Sequence, residues 1–248
     1  MLQAFLKPIT SLFMAVAAVA AVASTNALAQ SGKLLLTGGV TQIEGAARGG
    51  LTPWAVIGGY GTREQVGANA FHTNVRSGYF NLTITGLLVG LFDRAELSYA
   101  RQRFDTGNAG AMLGLGRGFT FNQDVLGIKV KLIGDAVLDQ DRWLPQISIG
   151  AQHKRNDREA VVRLVGAKND QGTDYYVSAT KLLLSQSILA NVTVRATKAN
   201  QLGILGFGGN LNDQYRPMLE GSIAYLFTRK IAAGVECRQK PNNLGFTP

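Results

Sequence analysis

Histidine and serine residues are where hydrolytic chemistry would be sought first, because a serine nucleophile needs a base beside it. Only two histidines are present, His72 and His153. A charged and polar run, residues 154–157, follows His153, and no suitable serine lies close to it in the sequence. A distant serine could still fold beside His153, but a histidine at the end of a strand is the favoured interpretation. Two histidines also exclude a His-rich metal site.

A glycine-rich run over residues 114–118, with Arg117 at its fourth position, has the composition of a phosphate-binding loop. Such loops join a strand to the N-terminus of a helix, and this run does not. We therefore interpret it as a flexible loop. With no catalytic motif elsewhere in the sequence, we expect a protein that is not an enzyme and that uses no cofactor or metal.

The first 29 residues have the organisation of a secretory signal peptide. Lys7 supplies a positive charge, residues 12–23 are apolar, and Ala27-Leu28-Ala29 is a small-x-small cleavage site. The formal charge of the chain is +9, of which Lys7 contributes one, so the exported part would carry +8. This charge suits anionic lipid head groups or an anionic solute. Export argues against nucleic acid as a partner. Cys237 is the only cysteine, so no disulfide can form within one chain.

Alternation with a period of two residues is the main pattern after residue 30, and it predicts β-strands. In residues 126–132 the apolar side chains fall on one parity, and Gly127, Lys129 and Lys131 fall on the other. A soluble sandwich shows the same local pattern, so the strands alone do not place the chain in a membrane. We predict strands over residues 33–41, 53–60, 66–74, 80–91, 95–104, 124–133, 144–154, 174–184, 188–198, 217–227 and 231–240.

The connections between these strands tend to alternate in length. Short links at 61–65, 92–94, 185–187 and 228–230 contrast with long polar links at 105–123, 155–173 and 199–216. This rhythm is typical of bacterial outer-membrane barrels, which have short turns on one side and long loops on the other. The sequence therefore predicts an all-β chain whose residues 30–248 form one antiparallel transmembrane β-barrel of outer-membrane type.

The predicted number of strands is odd, whereas single-chain bacterial barrels nearly always have an even number. The segment after residue 240 contains Pro241 and ends in Phe246-Thr247-Pro248, which is unfit for a closing strand. We therefore expect a barrel of about 12 strands when complete, with its last strand missing here and the domain truncated at its C-terminus.

Five stretches of the chain resemble a proteobacterial family of exported proteins that is catalogued only as a domain of unknown function. They are residues 36–45, 51–62, 114–121, 177–181 and 195–201. The resemblance spans essentially the whole exported part of the chain. It implies an exported, barrel-like protein, and it transfers no activity and no site residues.

In a barrel, the polar parity of each strand would face the lumen. A lysine such as Lys129 or Lys131 facing mid-membrane lipid would cost roughly 2–4 kcal/mol. Four cations and three anions in this set favour anionic solutes weakly, although the same charges could simply pair and fill a closed barrel. The lumen-facing candidates are Glu96, Gln102, Lys129, Lys131, Arg195, Glu220, Glu236 and Arg238.

Two classes of function fit these expectations. The first is a passive channel or transporter for small solutes, the anionic ones included. The alternative is a structural outer-membrane protein without transport activity, whose loops bind lipopolysaccharide or a partner. In both cases the expected partners are outer-membrane lipid, lipopolysaccharide and the barrel-assembly machinery. Arg101 and Arg103 fall on the apolar parity near a strand end, where we expect them to extend toward lipid head groups.

Overall fold

The alternating segments form nine antiparallel strands in a single sheet, and a computed structural model of the chain describes residues 40–78, 80–112, 114–228 and 231–245. Short helices α1 (Gly107–Met112) and α2 (Glu159–Leu164) and two 3-10 turns (Leu184–Gln186 and Asn200–Gly203) lie in the connections. No helix in these ranges is long and apolar enough to cross a membrane. The strands are β1 (Val66–Ser77), β2 (Phe80–Leu91), β3 (Ala95–Asp105), β4 (Thr120–Ile133), β5 (Gln146–Asn156), β6 (Gln171–Leu183), β7 (Ile188–Thr197), β8 (Arg216–Leu226) and β9 (Ala232–Arg238).

Each strand pairs only with its neighbours in the sequence, so the sheet is an up-and-down meander. Because all eight pairings are antiparallel, β1 and β9 run in the same direction. No pairing joins β1 to β9 among the residues described. The all-β antiparallel prediction is therefore confirmed. The sheet has nine strands where eleven were predicted, and a complete barrel of about 12 strands stays a prediction.

The two predicted strands that precede β1 account for the difference. The strand predicted over 53–60 is wrong, and the one over 33–41 lies outside the described residues except for its last two positions, where Thr41 forms an isolated bridge with Ala47. Residues 40–61, called the inner segment below, instead lie against the concave face of the curled sheet. The backbone of Ala55 shows why. Its N–H donates to Thr180 Oγ1 at 2.7 Å, and its carbonyl accepts from Gln146 Nε2 at 2.8 Å. Side chains of the sheet thus form hydrogen bonds with backbone groups of the inner segment, which are not paired in a strand.

The two faces of the sheet have opposite chemistry. On β4, Lys129 and Lys131 point inward and are buried, while Leu126, Ile128 and Val130 point outward and are exposed. This is the reverse of a soluble protein, in which charged side chains face water and apolar ones are buried. The exposed outward side chains form the outer apolar band: Leu87, Leu97, Tyr99, Leu126, Ile128, Val130, Leu132, Ile149, Tyr175, Val177, Val192, Val194, Leu219, Ile223, Tyr225 and Val235.

The outer apolar band ends in a polar row near the long connections. The pairing register places Thr85, Arg101, Asp124 and Arg155 side by side on β2 to β5. Arg101 lies 3.6 Å from Asp124 and is exposed. Arg103 is exposed on the same outward face, one step nearer the connection that contains α1. Both arginines thus lie outside the sheet, beyond the apolar side chains, and their contact with head groups stays a prediction.

Close packing of the inner segment against β2 requires glycine at position 90. A Cβ on Gly90 would overlap the carbonyl oxygen of Gly58, so the backbone of one of them would have to shift. Gly90→Ala is therefore expected to lower the free energy of unfolding by about 1–3 kcal/mol, the usual cost of overpacking. Gly221→Ala is the matched control, because its Cβ would meet only Asn191 O at 3.6 Å. Denaturant titration of both variants in detergent micelles measures the difference, and equal stabilities would contradict the packing described here.

Candidate functional site

The eight residues predicted to face a lumen all lie on the concave face of the sheet, and each is at most 9% exposed. These eight residues do not form one site, because each group of them has different partners. Arg195, Glu220 and Arg238 meet in one cluster, and Glu96 pairs with Lys129. The remaining three, Gln102, Lys131 and Glu236, have separate partners.

Glu44 of the inner segment is the centre of the largest cluster. Its carboxylate lies 2.5 Å from Lys154 Nζ and accepts two hydrogen bonds from Arg238, at 2.9 and 3.0 Å. Arg195 Nη2 lies 3.7 Å from the same carboxylate. Since these three cations belong to β5, β9 and β7, one side chain ties three strands to the inner segment.

Two carboxylates of the sheet complete this cluster. Asp174 on β6 lies 2.7 Å from Lys154 and 3.5 Å from Arg195. Glu220 on β8 lies 2.5 Å from Arg195 Nε and 3.1 Å from Arg238 Nε. Every side chain in the cluster is at least 95% buried. The cluster therefore holds three cations and three anions, and it is neutral with the inner segment in place.

The ionisation of Glu44 reflects these neighbours. Burial by itself raises the pKa of a carboxyl, because it disfavours the charged form. The positive charges of Arg238, Lys154 and Arg195 outweigh burial and hold the pKa of Glu44 far below its ordinary value of 4.5. Glu44 is therefore charged at any pH near neutrality.

Glu96 is a second link between the sheet and the inner segment. Its two carboxylate oxygens accept from the backbone N–H groups of Ala47 at 2.9 Å and Gly58 at 2.8 Å. Lys129 Nζ lies 3.0 Å from Glu96 and also donates to the carbonyl of Trp54 at 3.1 Å. Both members of this pair thus satisfy backbone groups of the inner segment.

Glu236 on β9 contacts the inner segment without a cation. It accepts from the backbone N–H groups of Gly50 at 2.8 Å and Leu51 at 2.5 Å, and from Thr52 Oγ1 at 3.5 Å. No ion pair of Glu236 is found within the described ranges. Its contacts are hydrogen bonds alone, which distinguishes Glu236 from Glu44.

The remaining two candidates lie outside the Glu44 cluster. Lys131 lies 2.8 Å from Asp93, between β2 and β3, and 3.8 Å from Asp135, between β4 and β5, at the same end of the sheet. Gln102 donates to the carbonyl of Ile43 at 2.6 Å and accepts from Gln123 Nε2 at 2.8 Å.

Arg48 is a buried charge that no sequence pattern singled out. It is 1% exposed, its φ is 68°, and its three guanidinium nitrogens have no hydrogen-bond partner within the described part of the chain. Burial lowers the pKa of Arg48 to about 9, although the charges of Glu96 and Asp93 act in the opposite direction. An unsatisfied buried donor costs about 1–3 kcal/mol, and more when it is charged. Among the described residues, no hydrogen bond of the Arg48 guanidinium offsets this cost.

On the concave face, the arrangement of the described residues offers ion pairing and hydrogen bonding. His72 and His153 both lie on the exposed outward face, where their ring nitrogens contact Thr85 and Thr173 at 3.0 Å. Within the described parts of the chain, no group of three or more His, Cys, Asp or Glu residues is placed to hold a metal ion.

Fold and interior together define a class of protein: a curled antiparallel sheet with an apolar outer face, whose polar interior is occupied by the chain itself. The chain belongs to a family described as proteins of unknown function, DUF3034, whose model matches residues 37–248. This confirms the expected relation to an uncharacterised family. No curated protein and no solved structure matches the chain.

Proposed function

We propose that this chain is an integral protein of the bacterial outer membrane, in which the sheet forms the wall of a β-barrel and the inner segment keeps the interior closed at rest. The observation that carries the proposal is the reversed chemistry of the two faces. In a bilayer, the outer apolar band would contact lipid instead of water. The charged side chains on the concave face would be kept away from lipid by the wall of the barrel. Eight of the nine strands have ten or more residues, which suits the roughly 9–11 that a tilted membrane strand needs.

The role we propose within the membrane is a gated passage for small solutes. The sheet contributes charged and polar side chains to the interior, so displacement of the inner segment would leave a polar passage. The inner segment is attached through carboxylates of the sheet, at Glu96 and Glu236, through its own Glu44, and through neutral polar side chains such as Gln146 and Thr180. These contacts are polar, so the groups that form them can hydrogen-bond to water instead when the inner segment moves.

The alternative role is that of an outer-membrane protein without transport activity, which binds lipopolysaccharide or a partner through its long connections. One observation favours it. The inner segment satisfies the interior side chains closely; the carbonyl of Pro53, for example, accepts from Ser178 at 3.0 Å and Thr193 at 2.9 Å. A barrel whose interior is filled in this way can be stable without ever opening, as expected of a protein without transport activity.

Two measurements test the proposal in turn. Fractionation of a bacterium that expresses the chain is expected to recover it in the outer membrane, resistant to extraction with alkaline carbonate. Recovery in the soluble periplasmic fraction would overturn the membrane proposal itself.

Planar-bilayer recordings then separate the two roles. We expect the unmodified protein to stay closed most of the time, and Gly90→Ala to show more frequent conductance steps because it loosens the inner segment. Gly221→Ala is the control. Silence from all three proteins under any salt condition would favour the role without transport.

A further inference from the structure

The sheet alone does not balance the charges of the Glu44 cluster. It contributes the cations Lys154, Arg195 and Arg238 and only two anions, Asp174 and Glu220. The third negative charge comes from Glu44, which belongs to the inner segment. The sheet is therefore one carboxylate short whenever the inner segment leaves.

We infer that Lys154, Arg195 and Arg238 form a binding site for the carboxylate of a small anionic solute, and that Glu44 occupies this site while the interior is closed. The inference rests on the proposed function, because the site becomes available to a solute only when the inner segment moves. It adds to the proposed function the chemical class of the solute and the position at which it binds.

The geometry around Glu44 matches a carboxylate. Arg238 donates through Nη1 and Nη2 to the two oxygens of the carboxylate, at 2.9 and 3.0 Å, which is the paired geometry of an arginine fork. Lys154 donates to Oε1 from another direction, at 2.5 Å. A halide has a single centre, so it cannot offer each N–H of the fork its own acceptor atom as the two oxygens of a carboxylate do. One negative charge restores neutrality, so a monocarboxylate fits better than a dianion.

Burial makes the site selective for an anion. Lys154 and Arg195 are fully buried, and the side chain of Arg238 is 5% exposed. A buried charge without its partner is strongly destabilising, so these cations favour any carboxylate that can take the position of Glu44. The backbone carbonyl of Glu44 leaves with the inner segment, and Gln152, whose Nε2 lies 3.4 Å from it, is then also available to a solute.

Chemical rescue of Glu44→Ala tests the inference, with formate as the probe. The variant removes the carboxylate and leaves space beside the three cations. We expect sodium formate to raise its melting temperature in detergent micelles in a saturable manner, and the same concentrations of sodium chloride to have a much smaller effect. Equal effects of formate and chloride would overturn the site.

Glu236→Ala is the matched control, since it removes another buried carboxylate that contacts the inner segment but has no ion pair among the described residues. We expect formate to stabilise Glu44→Ala at least several-fold more than Glu236→Ala. Equal rescue of both variants would mean that formate acts without the cations, and would also overturn the site.

A second readout applies if Glu44→Ala does not fold in chloride. Trp54 lies in the inner segment and Trp143 is exposed, and these are the only tryptophans, so Trp143→Phe leaves one fluorescent reporter of the interior. In that background, the yield of refolded Glu44→Ala should be higher in formate than in chloride, and equal yields would contradict the site. Formate rescue without any conductance step would support the carboxylate site and reject the gated passage. A failure of the site and a failure of the gated passage can therefore be told apart.

Discussion

Replacing Glu44 with glutamine is expected to lower the free energy of unfolding by about 3–5 kcal/mol, the usual cost of removing one partner from a buried ion cluster. Glutamine keeps the size of the side chain but not its charge. The amide leaves Lys154, Arg195 and Arg238 with only two anions. Its NH2 group is also a hydrogen-bond donor that faces the donor groups of these cations. Denaturant titration in detergent micelles, with tryptophan fluorescence as the signal, measures the loss.

Glu64→Gln is the control for this substitution. Glu64 is exposed in the short connection before β1, so the same chemical change there should alter stability by no more than about 0.5 kcal/mol. If Glu44→Gln were as stable as Glu64→Gln, the contacts of Glu44 would contribute nothing to the fold.

Acid should remove the advantage of the unmodified protein over Glu44→Gln. The pKa of Glu44 is depressed in the folded chain, so its contribution to stability is complete above the ordinary value of 4.5 and is lost progressively as the pH falls below it. The difference in unfolding free energy between the two proteins should therefore narrow between about pH 5 and pH 3. A difference that is constant across this range would show that folding does not change the pKa of Glu44.

Lysine at position 128 tests the membrane directly. Ile128 lies in the middle of the outer apolar band on β4 and is 49% exposed. If the band faces lipid, Ile128→Lys should destabilise the protein by roughly 2–4 kcal/mol, the cost of a lysine at the bilayer midplane. In water the same substitution at an exposed position would be close to neutral.

The control is Thr85→Lys, in the polar row that ends the band. Near a membrane interface a lysine costs only about 0–1 kcal/mol. Urea-dependent folding of both variants into lipid vesicles gives the two values. Equal costs, or a neutral Ile128→Lys, would mean that the band does not lie in lipid.

Strand positions were predictable because alternation and turn residues are local properties of the sequence. The strand predicted over residues 80–91 has the bounds of β2, and the predicted strand over 95–104 ends one residue before β3 does. The error over residues 53–60 has a physical cause. Ala55, Val56 and Ile57 form an apolar run that fits a strand, but tertiary contacts determine their conformation, and each of the three is buried inside the sheet.

The site was predictable in part for the same reason. Parity assigned Arg195, Glu220 and Arg238 to the inner face, and the structure places all three in one cluster. Lys154 and Asp174 lie on the polar parity of β5 and β6, so the same pattern could have found them. Glu44 lies outside any strand and has no periodic signal. Its role depends on contacts as far as 194 positions along the chain.

That separation also orders the events of folding. Every strand pairing joins sequence neighbours, so the meander can grow by short-range steps, each with a small loss of chain entropy. The inner segment precedes all nine strands, yet its contacts reach Glu236 and Arg238 on β9, the last of them. Long-range contacts of this kind form slowly. The contacts of the inner segment with β9 can therefore form only once the final hairpin is in place, and they complete the hydrogen bonding of the interior.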